Sequence, residues 1–218
     1  MPDVPITLVT LSYDGGTANH LEIVLPGLDQ RGLKATFFLD PSEAVQNIAS
    51  WREAGQKGHE LGNGALLLAA QPNGHLPGWT AGMIYSEVDE VDQFLSSELG
   101  VAPPASFAYP FGEPVCADGL YMVTRPRIRS PKDGPNLLPL TNAAARAFHT
   151  EGWSLADFVH ALTRPEWVGH WLVFAIKGVG ESPGIDRRDH EELLTILCDS
   201  TRYEVLPFAA ACAKLGTV

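Results

Sequence analysis

The sequence predicts an α/β domain of parallel strands wrapped by helices. Three observations carry that prediction. Short β-branched runs alternate with amphipathic segments from end to end; the main strand-like runs finish in Gly- or Pro-rich turns; and no repeat, low-complexity tract or linker interrupts the 218 residues. Each β-then-α unit needs a crossover, and crossovers are right-handed, so the strands lie parallel in a barrel or a doubly wound sheet. A chain of this length with 45% hydrophobic residues buries a sizeable core in a single domain, residues 1–218.

The elements follow in order. Residues 6–13 are β-branched and bounded by Asp-Gly-Gly, the mark of a buried strand. Apolar residues at 21, 23, 24, 25 and 28 form a helical face that ends near Gly32. Residues 34–39 predict a second strand, and 42–56 a helix with Val45, Ile48, Ala49 and Trp51 at helical spacings. A short strand at 59–62 precedes a Gly- and Pro-rich stretch at 63–78. Residues 84–99 form an amphipathic helix with Val88, Val91, Phe94 and Leu95 on one face. Segments 106–109, 120–124 and 137–140 are strand-like, and Ser154 caps a helix that runs to residue 162. Residues 170–176 are the clearest strand in the chain; a helix at 187–199, a strand at 203–206 and a helix at 208–215 close it.

With 26 acidic against 15 basic residues the net charge is −11, which repels phosphate backbones and anionic lipid headgroups and argues against nucleic-acid or membrane-surface partners. Residues 1–5 carry no basic segment leading into an apolar one, so a cytoplasmic protein is expected. Cys116, Cys198 and Cys212 are far apart and read as free thiols, with a 116–198 or 116–212 disulfide as the alternative. Asp89, Glu90 and Asp92 read as a solvated helix face. Arg125, Arg127 and Arg129 alternate along a strand-like segment, which predicts a shared face, either a charged exterior or a holder of a carboxylate.

In such folds chemistry gathers at the C-terminal ends of strands. The ends to inspect are 13–16, 61–68, 109–113 and 176–181, where glycine and proline let the backbone approach a ligand. At these four places the chain resembles the polysaccharide deacetylases, the NodB-homology proteins of carbohydrate esterase family 4. Ser12-Tyr13-Asp14-Gly15-Gly16 is similar to the family's T-F-D-D-G. Gly58-His59-Glu60-Leu61-Gly62-Asn63-Gly64-Ala65-Leu66-Leu67-Leu68 is similar to G-H-E-[IL]-G-N-H-[ST]-x-x-H. Phe107-Ala108-Tyr109-Pro110-Phe111-Gly112 resembles the third motif, and the run from Trp171 to Gly180 the last. The likeness spans roughly residues 5–215 and implies a distorted (β/α)7 barrel.

The resemblance also implies a chemistry: an Asp and two His hold a zinc-like ion, a second Asp takes a proton from the bound water, and a later His acts as acid. Residue by residue, this chain departs from it. The base position is kept as Asp14, the metal Asp is Gly15, the metal His positions are Gly64 and Leu68, and the acid position is Lys177. Glycine and leucine offer no lone pair, so no metal and no cofactor are expected. His59 and Glu60 occupy structural positions in the family; His20 and His75 are the remaining candidates for a relocated ligand. Asp14 and Lys177 are expected to face one pocket within hydrogen-bond or water-bridged reach, as a buried ion pair or as an acid/base couple. The backbone N–H of Phe111 matches the family's oxyanion donor. Tyr13, His20, Tyr109, Leu68 and Trp79 are candidate substrate contacts, with core or loop packing as the alternative.

Three functions stay open at this point. The first is a metal-independent enzyme running proton transfer on a small molecule, by isomerisation, elimination or cyclisation, with Asp14 as base and Lys177 as acid or electrostatic partner. The second is an inactive relic that binds a ligand or partner, and the third a residual metal-dependent deacetylase. Oligomeric state is left open.

Overall fold

The computed structural model describes residues 5–64, 78–109, 114–140 and 144–216. β1 (Thr7–Gly15) alternates strictly: Val9, Leu11 and Tyr13 enter the core beneath the helices, while Leu8, Thr10, Ser12 and Asp14 lie on the opposite face. A π-helical turn (His20–Val24) then runs into α1 (Leu25–Gln30), so the predicted single helix is two pieces. β2 (Thr36–Leu39) leads to a broken helical segment: α2 (Pro41–Ala44), a tight turn at Val45–Asn47 and α3 (Ile48–Gln56). Its N-cap is Asp40, whose carboxylate accepts the Ser42 N–H, and Pro41 supplies the pre-set φ of the first helical residue.

After β3 (Glu60–Asn63), Thr80 caps α4 (Ala81–Leu99), which stops at Gly100 in the left-handed region. β4 (Phe107–Ala108) is followed by a small antiparallel hairpin, β5 (Val115–Cys116) with β6 (Gly119–Leu120). Then come three two-residue strands, β7 (Ile128–Arg129), β8 (Ala144–Ala145) and β9 (Phe148–His149). Ser154 and Asp157 close a capping box on α5 (Leu155–Thr163). β10 (Trp171–Ile176), α6 (Arg187–Leu197), β11 (Tyr203–Val205) and α7 (Phe208–Leu215) complete the chain.

The main sheet is parallel, in the order β8-β7-β4-β3-β2-β1-β10-β9, with β11 also paired to β1. Its two ends, β8 and β9, are consecutive in the chain and only Arg146 and Ala147 separate them, so the sheet curls almost shut. This is the expected distorted barrel. Leu8, Phe38, Trp171, Val173, Phe208, Ala211 and Cys212 fill its interior. Glu60 tethers α7 at one end, accepting from Thr36, Ser106 and the Ala209 backbone N–H. His59 accepts from the Ala35 N–H through Nδ1 and turns Nε2 to Asp29. Both residues are therefore structural, as the family pattern implies.

Several expectations are corrected. Residues 137–140 form no strand, because Asn136 pairs with Trp171 as an isolated bridge and the chain continues as loop. The run at 120–124 contributes only the exposed hairpin residue Leu120. Asp92 is not purely solvated: it is ion-paired to Arg125 and bonded to the Asn63 amide. The cysteines are free, as expected, with no disulfide among them.

Candidate functional site

Seven strand ends open into one cleft of about 160 Å³, lined among the described residues by Asp14, Phe38, Gly64, Tyr109, Arg129, His149 and Lys177, among others. Four of these ends were expected; those of β2, β7 and β9 were not.

The electrostatic centre is a pair that sequence reasoning missed. Arg129 donates through both terminal nitrogens to the two oxygens of Asp14, each at 2.6 Å, and through Nη1 to Ser12 Oγ at 3.0 Å. Its guanidinium lies 4.7 Å from the centre of the Phe38 ring. The Arg129 side chain is 2% exposed and that of Asp14 33%, so the cation is buried behind the carboxylate and the carboxylate meets the cleft. The two-bond fork fixes the carboxylate plane, which a lysine's single ammonium could not do.

Asp14 thus has Arg129 as its two-bond partner, and Lys177 has an acidic neighbour of its own. Lys177, 38% exposed, stands 3.5 Å from Glu151, and both line the same cleft as Asp14. The alternating arginines do not share a face. Pro126 interrupts the run and β7 is only two residues long. Arg129 turns inward, Arg125 pairs with Asp89 and Asp92, and Arg127 bonds Ser106 and the Pro104 carbonyl.

Two proposed contacts are placed elsewhere. Tyr13 is fully buried on the helix side of β1, with its hydroxyl 2.7 Å from His190 Nε2; burial pushes its phenol far up. His20 is fully buried too, 3.0 Å from the Lys177 carbonyl oxygen, so it braces the backbone under Lys177 and does not reach the cleft mouth. Burial lowers its imidazole to about 4. Tyr109 does line the cleft, but its hydroxyl accepts from the Val123 N–H. Trp79 packs against the cluster formed by α4 and the hairpin. Phe111, Leu68 and His75 lie outside the described residues.

The ligand positions that the family pattern assigns to a metal do not fit one. Gly15 sits at φ +110°, a conformation L side chains rarely adopt. A Cβ on Gly64 would stand 2.9 Å from the Phe38 carbonyl oxygen and 3.1 Å from that of Leu39. Glycine supplies no donor at either place, and at Gly64 the backbone carbonyls crowd the space a side chain would take. Among the described residues, no group of three or more His, Cys, Asp or Glu side chains could hold a metal ion. No helix among them is long and apolar enough to cross a membrane.

The cleft residues missed from sequence left a faint trace. His149, Thr150 and Glu151 are a polar run directly after Phe148 and before the Ser154 cap, which is where a strand end would be. Arg129 stood among the alternating arginines as a possible carboxylate holder, but that the carboxylate is Asp14 depends on strands far away in the chain.

Comparison with known proteins agrees with this architecture. A family model described as Polysaccharide deacetylase matches residues 2–118. The uncharacterized protein YlxY of Bacillus subtilis (strain 168) is 30% identical over 111 residues, 51% of this chain and 33% of its own length. The chain therefore spans about a third of the length of that curated relative. A putative polysaccharide deacetylase from Mycobacterium smegmatis superposes with a TM-score of 0.67 at 13% identity, covering 99% of this chain and 92% of that one. A mutant of BA3943, described as a pseudoenzyme of carbohydrate esterase family 4 with restored enzymatic activity, superposes with a TM-score of 0.57 at 14% identity, covering 96% and 68%.

Proposed function

This chain belongs to the polysaccharide deacetylase family, and from that premise we propose that its cleft works without a metal ion, moving protons on a small polar molecule. The observation that carries the reading is the backbone at two former ligand positions: Gly15 holds a positive φ that L side chains rarely adopt, and a Cβ on Gly64 would press on the Phe38 and Leu39 carbonyl oxygens. What remains at the same strand ends is charge: Asp14 held by Arg129, and Lys177 beside Glu151. Asp14 then serves as the base-side group and Lys177 as the acid-side or electrostatic partner.

The test is chelator-treated protein incubated in D2O with small α-hydroxy carbonyl compounds and followed by proton NMR. Exchange at a carbon-bound position should persist in EDTA and fall at least tenfold in Asp14→Asn. Exchange or acetyl release seen only after zinc is restored would refute the reading.

A second reading, a member that binds its ligand without turnover, is favoured by one feature: both Asp14 oxygens already accept from Arg129. The similarity to the structure of a described pseudoenzyme is in keeping with it. Saturable calorimetric binding without exchange, unchanged in Asp14→Asn, would favour this reading over the first.

A further inference from the structure

The segment that carries Lys177 out of β10 is held by two side chains where the sheet no longer holds it. The ladder between β1 and β10 ends at the pair Tyr13 and Ile176, so Lys177 is the first residue beyond register. Its carbonyl oxygen accepts instead from His20 Nε2 at 3.0 Å. Two residues on, Asn19 closes a pair with the Val179 backbone: Nδ2 donates to the carbonyl at 2.9 Å, and Oδ1 accepts from the N–H at 3.2 Å. Consecutive residues thus continue the pairing of the two segments past the end of the ladder. They stand where the π-helical turn begins, a wide turn that recurs at functional sites.

The rest of the loop leaves little slack. Ile185 donates to the Gly178 carbonyl at 3.0 Å and Gly180 to the Ile185 carbonyl at 2.8 Å, while the Val179 and Ile185 side chains are buried in the core. A Cβ on Gly184 would run into the Gly178 carbonyl oxygen, so only glycine fits there. His20 is fully buried and packs against the Tyr13 and Phe37 rings. A carbonyl oxygen can only accept, so the ring proton sits on Nε2 and the lone pair on Nδ1, which has no hydrogen-bond partner among the described residues. Leucine would fill similar space without a buried nitrogen to satisfy, so packing alone does not account for a histidine here.

We propose that Asn19 and His20 are positioning residues of the cleft: they anchor the backbone on both sides of Gly178 and so fix where the Lys177 ammonium stands on the cleft wall. The proposal rests on the reading that Lys177 is the acid-side or electrostatic group of that cleft. The pair with Glu151 does little to hold the ammonium, because the two side chains are 38% and 59% exposed. The anchored backbone decides where the long lysine side chain starts.

The experiment is competitive labelling at pH 7 with trace acetic anhydride, read by mass spectrometry as acetylation of Lys177 relative to Lys214 of α7. Loss of one net hydrogen bond allows a population change of about three- to tenfold, and the ratio should rise by that much in His20→Leu and in Asn19→Ala. His20→Gln returns an N–H toward the carbonyl and should stay near wild type. A packing role predicts the reverse order, with leucine tolerated and glutamine disruptive; that order, or a ratio unchanged in all three variants, overturns the proposal. Should the His20 variants fail to fold, Asn19→Ala at its half-buried site and the nitrogen NMR spectrum of the wild-type His20 ring decide. A neutral ring protonated on Nε2, with a raised ratio in Asn19→Ala, supports the proposal. A ring protonated on Nδ1, or an unchanged ratio, overturns it. Labelling needs no turnover, so wild-type protein that exchanges no proton in D2O overturns the cleft reading alone, and the labelling order still decides the two anchors.

Discussion

Removing the two halves of the Asp14–Arg129 pair should have unequal costs. Two unit charges about 4 Å apart attract by about 4 kcal/mol at the effective dielectric of about 20 that suits protein sites. Asp14 is 33% exposed and Arg129 only 2%, so water can replace the arginine for the carboxylate but not the reverse. Asp14→Ala leaves a buried guanidinium held by Ser12 Oγ and the Phe38 ring, and should cost about 3–5 kcal/mol. Arg129→Met leaves a carboxylate that turns to water, and should cost about 1–3 kcal/mol. The double variant should be more stable than Asp14→Ala alone, giving a coupling of about 2–4 kcal/mol. At about 2–4 °C per kcal/mol for a chain of this size, Asp14→Ala lowers the melting temperature by about 10 °C. Urea unfolding at pH 7, followed by circular dichroism, measures the cycle. A coupling under about 0.5 kcal/mol, or Arg129→Met costing more than Asp14→Ala, would refute the assignment of a buried cation neutralised by a cleft carboxylate.

Three further outcomes follow from the same geometry. Gly15→Asp and Gly64→His should each lose about 1–3 kcal/mol without creating a zinc site, since one places a side chain at positive φ and the other against two carbonyls; stoichiometric zinc uptake by the double variant, read by calorimetry, would contradict this. Tyr13→Phe should cost about 1–3 kcal/mol by orphaning the buried His190 ring, yet leave exchange activity unaltered, because the hydroxyl lies behind the sheet. Burial also sets a pH dependence. His20 and His190 are both lowered to about 4 in the folded protein, against about 6.5 unfolded. Between those values the unfolded chain binds more protons, so stability is intact above pH 6.5, declines as pH falls toward 4, and loses no more on their account below it. Melting temperatures that stay constant from pH 7 to 4.5 would disprove it.

The legible parts of this chain are those whose burial is encoded by near neighbours. The β1 and β10 segments alternate under their own side chains, α4 shows its apolar face at helical spacing, and α7 was bounded correctly at both ends. The motif runs located four of the strand ends that open into the cleft. Strands of two residues have no period to detect, so β7, β8 and β9 were missed and residues 137–140 were taken for a strand. Asp14 was found as a cleft residue, but its partner was not. Lys177 holds the acid position of the family pattern, whereas Arg129 belongs to no motif, and its run reads equally as a charged exterior or as a holder of a carboxylate.

What the sequence determined by itself is the list of donors lost at positions 15, 64 and 68 and the parallel α/β architecture, because residue identity and periodicity are local properties. What only the tertiary structure decided is which charges meet. The curl of the sheet carries Arg129 across 115 residues of chain onto Asp14 and turns His149 toward the same cleft. The backbone takes a positive φ at Gly15 and sets two carbonyl oxygens against the place where a Gly64 side chain would start. Such contacts depend on the three-dimensional path of the strands, and no spacing along the chain encodes them.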